Sequence, residues 1–471
     1  MLSSLVKPLI LPPLDPDFSP AVLANRKFRQ DVEGCGVKAV IALERNAGEI
    51  SRIELLLFPD DHPLFEKNYR YVERIAKFLL WQRGGHTLYF SGSGKIASYL
   101  IQTYSTDGTR AFDYHFFGKK VYEQEFRVVA CSQELIPSAH EIGKKLGGNL
   151  NGYRIGFDLG ASDRKVSAVV DGVPVFSEEV IWEPRKNTDP DYHYREIMSS
   201  IKTAASKMPR VDAIGGSSAG IFIDNRPMVA SLFRGITESD YGRVKDLFLR
   251  IRDEVGVPLE VINDGDVTAL AGSMAIKENG ILGIALGSSQ AAGYVNTEGH
   301  IMGWLNELAF APVDFNPNAP IDEWSGDRGC GASYFSQQCV FRLAPAAGIA
   351  IPGDLSDAEK LKFIQEKLES GDSGAIKIWQ TMGVYLGYGI AHYADFYDLR
   401  HVLILGRCTS GSGGNLLLDG VQQVLSAEFP DLQQRIQLHL PDETIRRVGQ
   451  SMAAASLPFL PPTHGKSRDT Q

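Results

Sequence analysis

Three scarcities bound what this 471-residue chain can be. Its five cysteines, Cys35, Cys131, Cys330, Cys339 and Cys408, are odd in number, far apart and without a CxxC pair. That argues against a disulfide framework and fits a reducing, cytoplasmic setting. No apolar run reaches the roughly 20 residues of a membrane span. The one apolar patch near the start holds Lys7 and is broken by Pro8, Pro12, Pro13, Pro16 and Pro20, so no membrane partner is expected. Basic clusters are missing too: 48 Lys and Arg against 57 Asp and Glu leave a formal charge of -9. Without a basic field to gather a phosphate backbone, nucleic acid is not an expected partner.

What is present is an alternation of strand and helix patterns long enough for roughly two to three domains. VKAVIALER (37–45) and ISRIELLLF (50–58) read as a hairpin, followed by a helix over 63–82. HTLYF (86–90), a helix over 95–104, and the strand-like AFDYHFF and EFRVVA complete an N-terminal α/β region, 1–150, closed by the turn-rich 147–152. The next stretch, 151–275, reads as strands at 154–158, 165–170 and 173–180, a helix over 191–207, the strand VDAIGG, a helix over 240–255 and the strand PLEVI. In that second helix Val244, Leu247, Phe248, Ile251 and Val255 share one face, the spacing of a helix that covers a sheet. A similar order recurs over 276–460: strands at 281–287 and 291–297, helices over 332–344, 357–369 and 374–393, the strand HVLILG, a helix, the strand RIQLHL and a last helix to 456. Residues 461–471 are a polar tail. Two lobes of matching order imply a cleft, the usual place for a ligand.

The strongest chemical signal is YRIGFDLGASDRKVSAVVDGVPVF (153–176). An apolar strand enters Asp158-Leu159-Gly160, a small polar turn follows, and a second strand leaves from Lys165, a shape whose backbone N–H groups can face a phosphate. An ordinary hairpin with an Asx-type turn fits the same residues. In the segment beginning PLEVINDGDV, a strand ends at Asn263-Asp264 and a small-residue helix begins near Val267. Read from the residues alone, Asp264 or Asp266 there is the N-cap of that helix. Gly287-Ser288-Ser289 turns between two strands, as a phosphate loop or a polar-tipped hairpin, and HVLILGRCTSGSGG (401–414) is a strand running into a glycine-rich loop.

Taken in order, these residues resemble the ROK sugar kinases (repressor, open-reading-frame, kinase), within the superfamily that holds hexokinase and actin. The resemblance covers about 153 to 456 and rests on the ordered set rather than on one motif; residues 1–150 lie outside it and lack the helix-turn-helix of the family's repressors. It implies an α/β fold of two ribonuclease-H-like lobes around a central cleft, with the N-terminal α/β region added. It also implies an ATP-dependent kinase that phosphorylates a hydroxyl of a hexose or related sugar, with ATP and Mg²⁺ as cofactors. By position, Asp264 is then the general base, and Asn263, Glu307, Ser218 and Gly220 are substrate-side. Asp158, Gly160, Ser162, Lys165, Gly287, Ser288, Ser289 and Gly406 are nucleotide-side, Asp158 holding Mg²⁺ through water.

The departures are specific. Ala161-Ser162 replace a glycine and a threonine, Ser289 and Arg407 each replace a glycine, and Ala332 stands where a sugar-contacting glutamate is expected. Phe310 occupies the place of a zinc-binding histidine, and Glu323 and Ser325 those of two cysteines, so Cys330 is alone and no zinc site is expected. Trp304 and Trp324 read as core residues or as sugar-stacking platforms. The alternative reading is a sugar- or nucleotide-binding regulator that keeps the fold without transfer. A dinucleotide fingerprint, Gly92-x-Gly94-x-x-Ala97 with Asp113 downstream, is a weaker rival. Substrate cover or an oligomer interface, as of a homodimer, is the role left for the N-terminal region.

Overall fold

The computed structural model describes residues 6–441 and 443–460, so the polar tail lies outside the described residues. They pack as two compact units, each built from separate stretches of chain. Residues up to Lys144 and from Glu278 to 441 make one unit; Lys145 to Lys277 and 443 onward make the other.

The first unit opens with α1 (Ala21–Val32), β1 (Val37–Glu44), β2 (Ile50–Leu57), α2 (Lys67–Arg83), β3 (Thr87–Ser91), α3 (Gly94–Thr103), α4 (Ala111–His115) and β4 (Arg127–Ala130). β1 and β2 form the expected hairpin, pairing Val37 with Leu57 and Glu44 with Ile50, within a sheet ordered β2-β1-β3-β4. AFDYHFF differs from its strand reading: it folds as α4 and a π-helical segment, Phe116–Tyr122. Helical spacing lets Asp113 and Phe116 face α2 together, where Asp113 accepts from Lys77 and Trp81, and Phe116 stacks on Trp81. A strand would send such neighbours to opposite faces or out of reach.

The second unit follows with β5 (Tyr153–Leu159), β6 (Asp163–Val170), β7 (Val173–Ile181), α5 (Pro190–Ala205), β8 (Ala213–Ser218), β9 (Ile221–Ile223) and β10 (Arg226–Val229). Then come α6 (Tyr241–Lys245), α7 (Leu247–Val255), β11 (Leu259–Asn263) and α8 (Asp264–Ile276). Its sheet is ordered β11-β8-β5-β6-β7, with β5, β8 and β11 parallel. The helix expected over 240–255 breaks at Asp246, yet of its expected face Val244, Leu247, Phe248 and Ile251 are fully buried against the sheet and Val255 partly so.

The first unit resumes with β12 (Ile281–Leu286), β13 (Gln290–Val295), α9 (Gln337–Leu343), α10 (Asp357–Glu369) and α11 (Ser373–Tyr393). It ends with β14 (His401–Leu405), α12 (Gly413–Glu428), α13 (Pro430–Arg435) and β15 (Gln437–His439). Its second sheet is ordered β13-β12-β14-β15. α14 (Glu443–Ala455) returns to the second unit and lies against β5 and β8. Gly156 and Gly215 permit this: a Cβ at either would strike the backbone of α14 at Ser451 or Ala454.

The N-terminal region, drawn from the sequence as separate, shares one packed unit with the later stretch. The cause is burial. Pro20 bridges to Asp314, the Ser19 N–H donates to the Asp314 carboxylate at 3.0 Å, and α2 meets the chain between 305 and 330 through backbone, ring and charge contacts described below. No helix of the described residues is long and apolar enough to cross a membrane.

Candidate functional site

Parallel strands β5, β8 and β11 end on the same edge of their sheet, where open α/β sheets bind ligands. Strand register places Glu179, Lys165, Asp158, Ser217 and Ile262 in one row across that edge. The Ser217 hydroxyl donates to Asp158 at 2.7 Å. The β5–β6 turn closes by the Gly160 N–H donating to the Asp163 carbonyl at 2.9 Å rather than to the Asp158 side chain. The Gly160 carbonyl accepts from Trp182 Nε1, so both its backbone groups serve the turn rather than standing ready for a phosphate. The Ser162 hydroxyl donates to Asp163, and Lys165, exposed, lies 3.8 Å from Asp163 and 4.0 Å from Glu179.

One row further, Ser218 pairs with Asn263, and Gly220 follows. Gly220 has a φ of 130°, and a Cβ there would press on the Val229 carbonyl and Ala230. Its own carbonyl accepts from Asn263 Nδ2 at 2.7 Å, while Asn263 Oδ1 accepts from the Gly265 N–H at 2.7 Å. Asn263, not Asp264 or Asp266, is the N-cap of α8. Both ends of its amide are thus engaged within the protein, and its evident service is to set the helix start that carries Asp264. The Ser218 hydroxyl is fully buried and makes no hydrogen bond among the described residues.

Neither Asp158 nor Asp264 makes an ion pair among the described residues. Burial, with the Asp264 charge beside it, pushes the Asp158 carboxyl up to about 6 against the pull of the Ser217 hydrogen bond and Lys165. Burial raises Asp264 as well, opposed by backbone N–H groups at the start of α8. Two carboxylates with raised proton affinity thus stand on the same edge of the sheet.

In the first unit Gly287, Ser288, Ser289 and Gly406 come together at the corresponding edge of the second sheet. Gly406 has a φ of 99°, and a Cβ would strike the backbone of Leu286. The Gly287 N–H donates to the Ser289 carbonyl at 3.1 Å, and its carbonyl accepts from Gln337 N, so this turn too is closed on itself. Ser288 and Ser289 are exposed at its tip, and Arg407 is exposed beside Gly406.

Glu307 lies on the segment after β13. Asn306, in the left-handed region at φ 52°, donates its N–H to the Gln82 carbonyl at 2.8 Å, and the Glu307 N–H donates to the Trp81 carbonyl at 3.0 Å. Phe310 packs on Trp81 at 4.7 Å and on Trp324 at 4.6 Å between ring centroids. Asp327 receives Arg74, Lys77 and Arg110 at 3.0, 3.5 and 2.7 Å. Cys330 is buried beside it. Trp304 packs on Tyr294, lies under the Arg83 guanidinium and donates to Glu141, all scaffold contacts. These α2 partners were missed in the sequence, where nothing local links residue 81 to residue 307. Asp113, the acid of the dinucleotide rival, is consumed by Lys77 and Trp81.

No family model and no curated protein matches this chain. Solved structures do. The ROK hexokinase of Thermus thermophilus aligns with a TM-score of 0.50 at 17% identity, over 64% of this chain and 96% of that one. A ROK family transcriptional regulator, a homologue of the E. coli MLC protein, aligns with a TM-score of 0.51 at 19% identity, over 65% of this chain and 78% of that one. The fold is the one shared by these ROK proteins.

Proposed function

We propose that this protein is an ATP-dependent kinase that phosphorylates a hydroxyl of a hexose or related sugar, with Asp264 as its general base. The observation that carries the reading is the placement of two carboxylates, Asp158 and Asp264, at the carboxyl ends of the parallel strands β5 and β11, neither tied into an ion pair among the described residues. A structural acid would be neutralised there; an acid with a reaction to perform is left available.

Asp264 would take the proton of the attacking hydroxyl as the new O–P bond forms to the γ-phosphorus and the bond to the β-phosphate oxygen breaks. Burial strengthens it as a base by raising its affinity for that proton. Asn263 fixes its position through the helix cap. Ser218, buried with an unpartnered hydroxyl, and Gly220, which keeps the backbone close, suit the substrate side. As a hard oxygen donor with no ion pair among the described residues, Asp158 fits a water-mediated hold on Mg²⁺. Mg²⁺ and ATP, when bound, supply the phosphoryl group and the counter-charge to its oxygens. Ser288, Ser289 and the approach at Gly406 suit the nucleotide, and Glu307 a sugar hydroxyl.

A second reading, a binding protein without transfer, draws on the Gly160 and Gly287 amides being occupied within their own turns. Incubation with Mg·ATP and a panel of hexoses, amino sugars, glycosides and nucleosides separates the two. A phosphorylated product is expected. A sugar or nucleotide that raises the melting temperature without yielding product would overturn the kinase in favour of the binder.

A further inference from the structure

We infer that α2 of the N-terminal region is the positioning element for the substrate-side backbone at Asn306–Glu307, with Trp81 as its principal side chain. The inference rests on the kinase reading for what Glu307 does, and on the structure for what holds it. The last carbonyls of a helix ordinarily lack partners. At the end of α2, those of Trp81 and Gln82 accept from the N–H groups of Glu307 and Asn306. Asn306 is in turn gripped from a second side, its Oδ1 accepting from Tyr397 at 2.8 Å.

The rest of the segment is pinned to α2 and its neighbour α4. Phe310 lies between Trp81 and Trp324, and Trp324 meets Phe112 and Phe116 at 5.1 Å each. Asp327 is clasped by Arg74, Lys77 and Arg110, whose other partners are Glu73 and Asp113. Backbone, ring and charge contacts thus fix one loop at three points. Three of the four positions where the resemblance expects metal ligands, Phe310, Glu323 and Ser325, fall in this same loop and carry no soft ligand. The N-terminal region therefore supplies an order that the loop's own residues could not obtain from a soft-metal staple.

The test is a Trp81→Leu variant of the full chain, read by steady-state kinetics with the acceptor and ATP varied separately, and by hydrogen exchange at the amides of 306 and 307. The expected result is faster exchange at both amides and an acceptor KM raised about tenfold, with the KM for ATP within twofold of wild type. Trp81→Phe, which keeps a ring against Phe310, is expected to recover most of the acceptor affinity. Phe310→Leu, a milder change on the loop itself, should raise the acceptor KM about threefold and serves if Trp81→Leu does not fold. Unchanged amide exchange, or an unchanged acceptor KM in an active, folded variant, would overturn the inference alone. A wild type that transfers phosphate to no sugar would instead overturn the kinase reading and the acceptor role built on it. Equal rises in both KM values would mark Trp81 as a general stabiliser and also overturn the inference.

Discussion

Asp158 and Asp113 are both buried carboxylates, 8% and 1% exposed, and they differ in company. Asp113 sits in a cluster whose three acids, Glu73, Asp113 and Asp327, are matched by Arg74, Lys77 and Arg110. Asp158 has a serine hydroxyl on one side and a second acid near it. Balanced charge in a low-dielectric interior holds elements in register; unbalanced charge there is a standing cost, retained where chemistry requires it. The first cluster is scaffold for a loop, and the second is the proposed reacting edge.

Breaking the balanced cluster should have the larger effect on stability. Lys77→Met leaves Asp113 and Asp327 short of a cation, and urea unfolding is expected to show a loss of about 3–5 kcal/mol. Adding Asp113→Asn should return part of it, because the uncompensated charge is then gone; no recovery would mean that Lys77 acts by packing alone.

Neutralising the unbalanced edge should do the reverse. The Asp158 pKa stands at about 6 when folded against an ordinary 3.8. The folded protein therefore holds a proton that the unfolded chain has released between roughly pH 4 and 6, and stability falls as pH rises through that window. Asp158→Asn removes this loss. Melting curves are expected to show a gain of up to about 3 kcal/mol above pH 6 that disappears near pH 4, together with loss of metal-dependent transfer. A variant less stable than wild type at pH 8 would break the comparison.

The smallest of these effects sharpens the picture in the first unit. Gly406→Ala forces a side chain onto the Leu286 backbone at a φ of 99°. A cost of about 1–3 kcal/mol is expected, seen by nucleotide titration as weaker ATP binding with sugar binding preserved.

The proposed reacting edge could be assembled from the sequence because each of its parts is local. A strand that ends in Asp158, and another that ends in Asn263-Asp264, needed only parallel pairing through β8 to come together. The face formed by Val244, Leu247, Phe248 and Ile251 was equally local, and it is buried. What local pattern could not tell was which acid or amide caps α8, since Asn263, Asp264 and Asp266 are all good caps. Nor could it show that Gly160 spends its amide inside its own turn. The N-terminal region was legible only as strands and helices. Its attachment depends on pairs such as Trp81 with Glu307 and Arg74 with Asp327, separated by more than 200 residues, for which one sequence carries no sign. Contacts outside the local window also hid the helical state of AFDYHFF, whose alternating apolar look is overridden by packing on α2.

The central claim is that Asp264 takes the proton of the attacking hydroxyl, and the direct test is the initial rate of phosphate transfer from ATP to the preferred sugar by wild type and Asp264→Asn, with sugar affinity measured beside it. The account expects the rate to fall about 10²- to 10⁴-fold while the sugar Kd and the melting temperature hold. Near-normal turnover in Asp264→Asn would contradict it.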